Sequence, residues 1–132
     1  MASKTQTLKF KRVVNAPPAE IYRAFTNPTA LRDWLCDAVR VDARKGGQVY
    51  LGWNDGYHAT GKFTTLAPDR KVAFTWRGYD EPGESSVQVS LAGKNGGTVM
   101  TLTHAGLGSG KVWADTVKSL ADGWPDKLEN LH

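Results

Sequence analysis

A single cysteine, Cys36, leaves this 132-residue chain without any internal disulfide. A fold without cross-links must bury its own core, and this length suffices for one domain over residues 1–132. A lone thiol also fits a reducing compartment, so the cytoplasm is the expected location. No run of about 20 apolar residues exists to span a membrane. The opening stretch MASKTQTLKFKRVVN holds basic side chains and no continuous apolar segment, unlike a secretory signal. Charge is modest at +4, with both signs mixed along the chain. The densest basic run, Lys9, Lys11 and Arg12, alternates with apolar residues as a half-exposed strand would. Neither nucleic-acid binding nor stable membrane insertion is expected.

The usual catalytic and metal sets are missing too. His58, His104 and His132 are far apart in sequence and Cys36 stands alone, so no close ligand pair forms. There is no Gly-x-Ser-x-Gly elbow. The GSGK stretch at 108–111 lacks the glycine spacing of a phosphate loop and its following Ser or Thr. It reads as a flexible entry to a helix. The carboxylates Asp33, Asp37, Asp80, Glu81 and Glu84 fall at turns or exposed helix positions. Asp80 and Glu81 could serve as acid or base at a cavity mouth; the plainer reading is a solvated turn. No catalytic residue, metal ligand or cofactor is assigned.

What the chain does have is aromatic surface, including five tryptophans. Large rings gather in cores, interfaces and ligand cavities. Residues 5–15 alternate as a strand. In APPAEIYRAFTNP the period changes: prolines open a helix, Glu20 lies in its first turn, and Ile21, Ala24 and Phe25 form its buried face. Asn27 and Pro28 end that helix and start a second, which presents Leu31, Trp34 and Leu35. From Asp37 to Leu107, turn signals at short intervals separate six strands, near 37–43, 47–53, 57–66, 71–79, 85–92 and 98–105. WNDGY is the clearest of these turns. Connections so short make an antiparallel meander.

Helical periodicity returns from Lys111 through Val117, Leu120, Ala121, Trp124, Leu128 and Leu131. Gly123 and Pro125 interrupt this stripe, at a cost of about 1 and 3 kcal/mol respectively in a helix interior. One bent helix is expected, with Gly123 permitting close backbone approach and Trp124 plugging the trough. The alternative is a helix that ends near Gly123. The sum is an α+β domain: a seven-stranded curved antiparallel sheet, two short helices, and a long C-terminal helix over a cavity.

The succession APPAEIYRAFTNPTALRDWL, GKFTTLAPDRKVAFTW, GGTVMTLTHAGL and the final GW…L resembles the activator-of-heat-shock-ATPase-like family. That family lies in the START and birch-pollen-allergen-like (SRPBCC) superfamily, with the helix-grip fold. The resemblance implies a sheet order of 1-7-6-5-4-3-2 and a terminal helix gripping a pocket for small apolar or amphipathic molecules. The sequence departs from the pattern where Leu35, not a second aromatic, follows Trp34. It also stops soon after Gly123-Trp124, which allows for a longer natural chain.

Alternation puts Leu51 with Trp53, Phe74 with Trp76, Val89 with Val87 and Leu91, and His104 with Leu102 and Met100. A bulge at Gly61 would change the face that Phe63 takes. The expected ligand-contacting set is Trp34, Leu51, Trp53, Phe63, Phe74, Trp76, Val89, Leu102, His104, Trp124 and Leu128. Ordinary core packing is the competing account of each. His104 reads either as a polar handle or proton shuttle, or as a hydrogen-bonded histidine near a strand end. The leading function is binding of a hydrophobic, aromatic or lipid-like molecule, with no enzymatic activity assigned. The alternatives, drawn from the resemblance, are a polyketide cyclase or aromatase-like enzyme using the same pocket, and a partner of the ninety-kilodalton heat-shock chaperone.

Overall fold

The computed structural model describes residues 6–79, 81, 83–108 and 110–131. Asp80 and His132, both considered above for chemistry, lie outside the described residues. The elements run β1 (Gln6–Val14), α1 (Pro18–Thr26), α2 (Pro28–Trp34), β2 (Ala38–Val41), β3 (Gln48–Gly52), β4 (His58–Ala67), β5 (Lys71–Gly78), β6 (Ser85–Lys94), β7 (Gly97–Leu107) and α3 (Lys111–Leu128). The strands form one antiparallel sheet in the order β1-β7-β6-β5-β4-β3-β2. This is the helix-grip order, in a curved sheet with the helices spanning its edges and covering its concave face.

The two short helices are joined by one residue with two jobs. Asn27 closes α1 by donating its backbone N–H to Arg23 O at 2.9 Å, and caps α2 by accepting from Ala30 N at 3.1 Å. The Trp34 indole then crosses back, donating to Ala24 O at 2.8 Å and meeting Phe25 edge-on at 5.0 Å. Trp34 therefore locks α2 onto α1.

The hairpins differ in their solutions. Asn95 and Gly96 both take positive φ, at 52° and 83°, giving the two-residue turn whose twist suits paired strands. The Asp55-Gly56 turn is longer. Gly56 sits at φ 99°, its N–H bonds Trp53 O at 3.1 Å, and Trp53 N bonds Tyr57 O at 2.9 Å. The tightest hairpin is thus at Asn95-Gly96, not at WNDGY. The strand irregularity in β4 falls between Phe63 and Thr65, not at Gly61, and leaves Phe63 inside at 1 % exposure. Gly61 is small for another reason: a Cβ there would collide with the Thr75 carbonyl on β5.

α3 runs unbroken through Gly123 and Pro125 and buries Leu120, Trp124 and Leu128. Pro125 lies in the last turn and forfeits the bond its N–H would make to Ala121 O. The chain beyond it is held by Glu129 N to Pro125 O at 3.3 Å and by Asn130 Nδ2 to Trp34 O at 3.4 Å. Burial of the Trp124 ring, worth about 2–3 kcal/mol, offsets the defect. Gly123 does not serve close approach, contrary to expectation: a Cβ there would meet no atom within 4 Å. At the other end of α3, the ring of Trp113 lies where a Cβ on Gly108 would stand. Gly108 provides the flat surface on which the first turn of α3 docks. No helix among the described residues is long and apolar enough to cross a membrane.

Candidate functional site

The concave face and α3 enclose a core below and an open cleft above. The cleft holds about 700 Å³ and lies between α3, the β3–β4 hairpin and the end of β5. Trp53, Tyr57 and Trp76 form its sheet wall; Leu120, Gly123 and Trp124 form its helix wall. The rings stand close to one another: Trp53 to Tyr57 at 5.3 Å, Trp53 to Trp76 at 6.3 Å and Trp76 to Trp124 at 5.5 Å.

The indole donors of these tryptophans are all engaged inside the protein. Trp53 Nε1 donates to Leu35 O at 2.8 Å, Trp76 Nε1 to Tyr57 Oη at 3.2 Å, and Trp124 Nε1 to His104 Nδ1 at 3.0 Å. What they offer a guest is therefore carbon surface, most of it from half-buried Trp53, since Trp76 and Trp124 are each only 3 % exposed and present little more than an edge.

His104 is wholly buried, and its environment fixes its protonation. An indole N–H only donates, so Nδ1 of His104 must accept, and the ring proton sits on Nε2. Nε2 then donates to Ser85 Oγ at 2.7 Å, and the serine hydroxyl donates onward to Trp76 O at 3.3 Å. Burial lowers the His104 pKa to about 4, which keeps the ring neutral. Neither ring nitrogen is free to shuttle a proton to a ligand.

Tyr57 anchors the mouth. Its hydroxyl donates to Glu81 Oε2 at 2.6 Å, while Gly78 N donates to Glu81 Oε1 at 2.9 Å. A Cβ on Gly78 would strike both the Glu81 carboxylate and the Tyr57 hydroxyl, so glycine there permits the contact. Burial raises the Tyr57 phenol pKa, and the hydrogen bond to Glu81 and its charge raise it further. Cys36 is buried behind the cleft wall; burial first, then the Asp37 charge, push its thiol up to about 11, so it is not a reactive thiol. Among the described residues no group of His, Cys, Asp and Glu side chains could hold a metal ion.

Of the side chains expected to contact a ligand, Trp53, Trp76 and Trp124 line the cleft. Leu51, Phe63, Phe74, Val89, Leu102 and Leu128 pack in the core beneath it, which Trp76 and Trp124 also join; His104 is buried among them, and Trp34 sits between the two short helices. Tyr57, Glu81, Gly123 and Lys127 line the cleft from outside the expected ligand-contacting set, Glu81 being expected only as an acid or base or as part of a solvated turn. Tyr57 has a visible signal, as the residue opposite Trp53 across the Asp55-Gly56 turn. The helix wall is also visible as a stripe beside the apolar one: Val112, Thr116, Ser119, Gly123 and Lys127 recur at helical spacing. Small and polar side chains leave the cleft open there.

Fold and cleft together define a helix-grip domain with an aromatic groove under its closing helix. Residues 15–132 match the family described as Activator of Hsp90 ATPase homolog 1-like protein, and the chain belongs to that family. It is 27 % identical over 105 residues to the mouse activator of 90 kDa heat shock protein ATPase homolog 1, covering 78 % of this chain but 30 % of the mouse protein. The chain thus spans under a third of the length of that relative. Among solved structures, a Chromobacterium violaceum protein superposes with a TM-score of 0.75 at 28 % identity, covering 94 % of this chain and 93 % of that one. An Hsp90 activator from Plasmodium falciparum superposes at 0.74 with 22 % identity, covering 93 % of each chain, and carries the same fold.

Proposed function

We propose that this chain binds a small hydrophobic or aromatic molecule in the cleft between α3 and the β3–β4 hairpin. The observation that carries this reading is the convergence of Trp53, Trp76 and Trp124 on one open cleft, each with its indole donor already engaged. A volume of about 700 Å³ falls in the range of small-molecule sites, which are apolar with a few polar groups. The indole Nε1–H resonances test it. Titration with apolar aromatic compounds should move those of Trp53, Trp76 and Trp124 before any exposed site; movement of surface residues alone rejects the reading. Native mass spectrometry of the purified chain should also reveal a co-purified small molecule.

A second reading comes from the relatives, whose mouse and human members are named activators of the 90 kDa heat shock protein ATPase. This chain would then contact that chaperone as a partner. Pull-down with the host's chaperone tests it, and absence of association rejects it.

A further inference from the structure

The cleft carries a charge opposite to that of the chain. Asp55, Glu81 and Asp115 line it against one ammonium, Lys127, while the chain as a whole has a formal charge of +4. Among the described residues the ion pairs are Arg44–Asp42 and Lys118–Asp122, so none of the three cleft carboxylates is neutralised by a salt bridge. Glu81 is also fixed in place, gripped by the Tyr57 hydroxyl and the Gly78 N–H, one hydrogen bond removed from the Trp76 ring.

Resting on the reading of the cleft as a ligand site, we propose that its guest is a cation. The class is an aromatic or hydrophobic amine or quaternary ammonium. Its apolar body lies against the tryptophans and its charged head among the carboxylates. Two independent features recognise such a head. The half-buried rings of Trp53 and Tyr57 attract a cation through their π faces, most strongly where water is displaced. Half-buried Glu81 at the edge of the cleft acts on a charge more strongly than a carboxylate in bulk water, and exposed Asp55 and Asp115 add a weaker, salt-screened pull of the same sign. An anion of the same shape meets repulsion from both, relieved only by Lys127.

The test uses the purified full chain and three probes with one apolar body: 4-phenylbutyltrimethylammonium, 4-phenylbutanol and 4-phenylbutanoate. Binding is read from the indole Nε1–H resonances at low ionic strength. The cation should bind about ten-fold tighter than the alcohol, with the carboxylate weakest. Added salt should shrink that advantage. Glu81→Gln should lower the cation-over-alcohol ratio about three-fold or more. Asp115→Asn, on an exposed face of α3, should lower it in the same direction and stays readable if the glutamine variant loosens the Gly78 turn. Equal affinity for cation and alcohol, or preference for the carboxylate, overturns the charge inference and leaves the cleft reading standing. If no probe moves the tryptophans, both fall together.

Discussion

Among the described residues the closing helix is tied to the sheet by one side-chain hydrogen bond, from Trp124 Nε1 to His104 Nδ1 at 3.0 Å. Both side chains are buried, so the bond forms where neither partner has water as a substitute. Edge contacts reinforce it: His104 meets Trp76 at 5.5 Å and Trp124 at 6.1 Å, both with steeply inclined rings. The helix thereby docks on one tautomer of one histidine.

Trp124→Phe keeps a ring in place and removes the donor. His104 Nδ1 is then buried without a partner, and the chain should lose about 1–3 kcal/mol of stability in urea unfolding. In a His104→Leu background the same replacement should cost much less, leaving a coupling of about 1–2 kcal/mol in the double-mutant cycle. Additive effects would show that the helix is held by ring packing alone.

Acid should undock the helix through the same residue. In the unfolded chain a histidine titrates near its ordinary value of 6.5, whereas burial holds His104 near 4 in the fold. Between those values the unfolded state binds the extra proton, so stability rises with pH across that window. The contribution is complete above about pH 6.5 and is lost as pH falls toward 4, amounting to about 3 kcal/mol. Protonation also places an N–H on Nδ1, facing the indole N–H of Trp124. Thermal or urea unfolding from pH 7 to pH 4 should show this slope. His104→Asn, which offers an oxygen to the indole and no titrating ring, should flatten it; an unchanged slope would assign the acid lability to other groups.

Element boundaries were legible because each rests on a local rule. Period-two alternation from Val87 to Leu91, the Asn27-Pro28 helix junction and the short turns leave few other topologies, and the family resemblance supplied the order. The site was legible only in part. Alternation tells which residues face inward, so it places Phe74, Trp76, Leu102 and His104 on one face without separating those beneath the helix from those at its edge. That separation depends on where α3 crosses the sheet, a non-local fact. The tie through Ser85 and His104 to Trp124 was hidden for the same reason: its members are 19 and 20 residues apart in sequence. Gly123 departs from expectation because a glycine beside a bulky residue suggests close contact. Here it marks space instead.

That space makes Gly123 the position where occupancy and stability can be separated. The residue is helical, lines the cleft, and has no atom within 4 Å of where its Cβ would lie. Gly123→Ala should therefore stabilise the chain by about 1 kcal/mol, the ordinary helix-interior gain, and leave the cleft open. Gly123→Phe should also fold, since the ring has room to enter, but it would occupy the volume a ligand needs. Binding of an apolar aromatic probe should fall at least about ten-fold in the phenylalanine variant and change little in the alanine variant. Circular dichroism and urea midpoints would confirm that both remain folded. If the phenylalanine variant binds as tightly as the parent, the guest does not sit between α3 and the tryptophans, and the cleft is not the site.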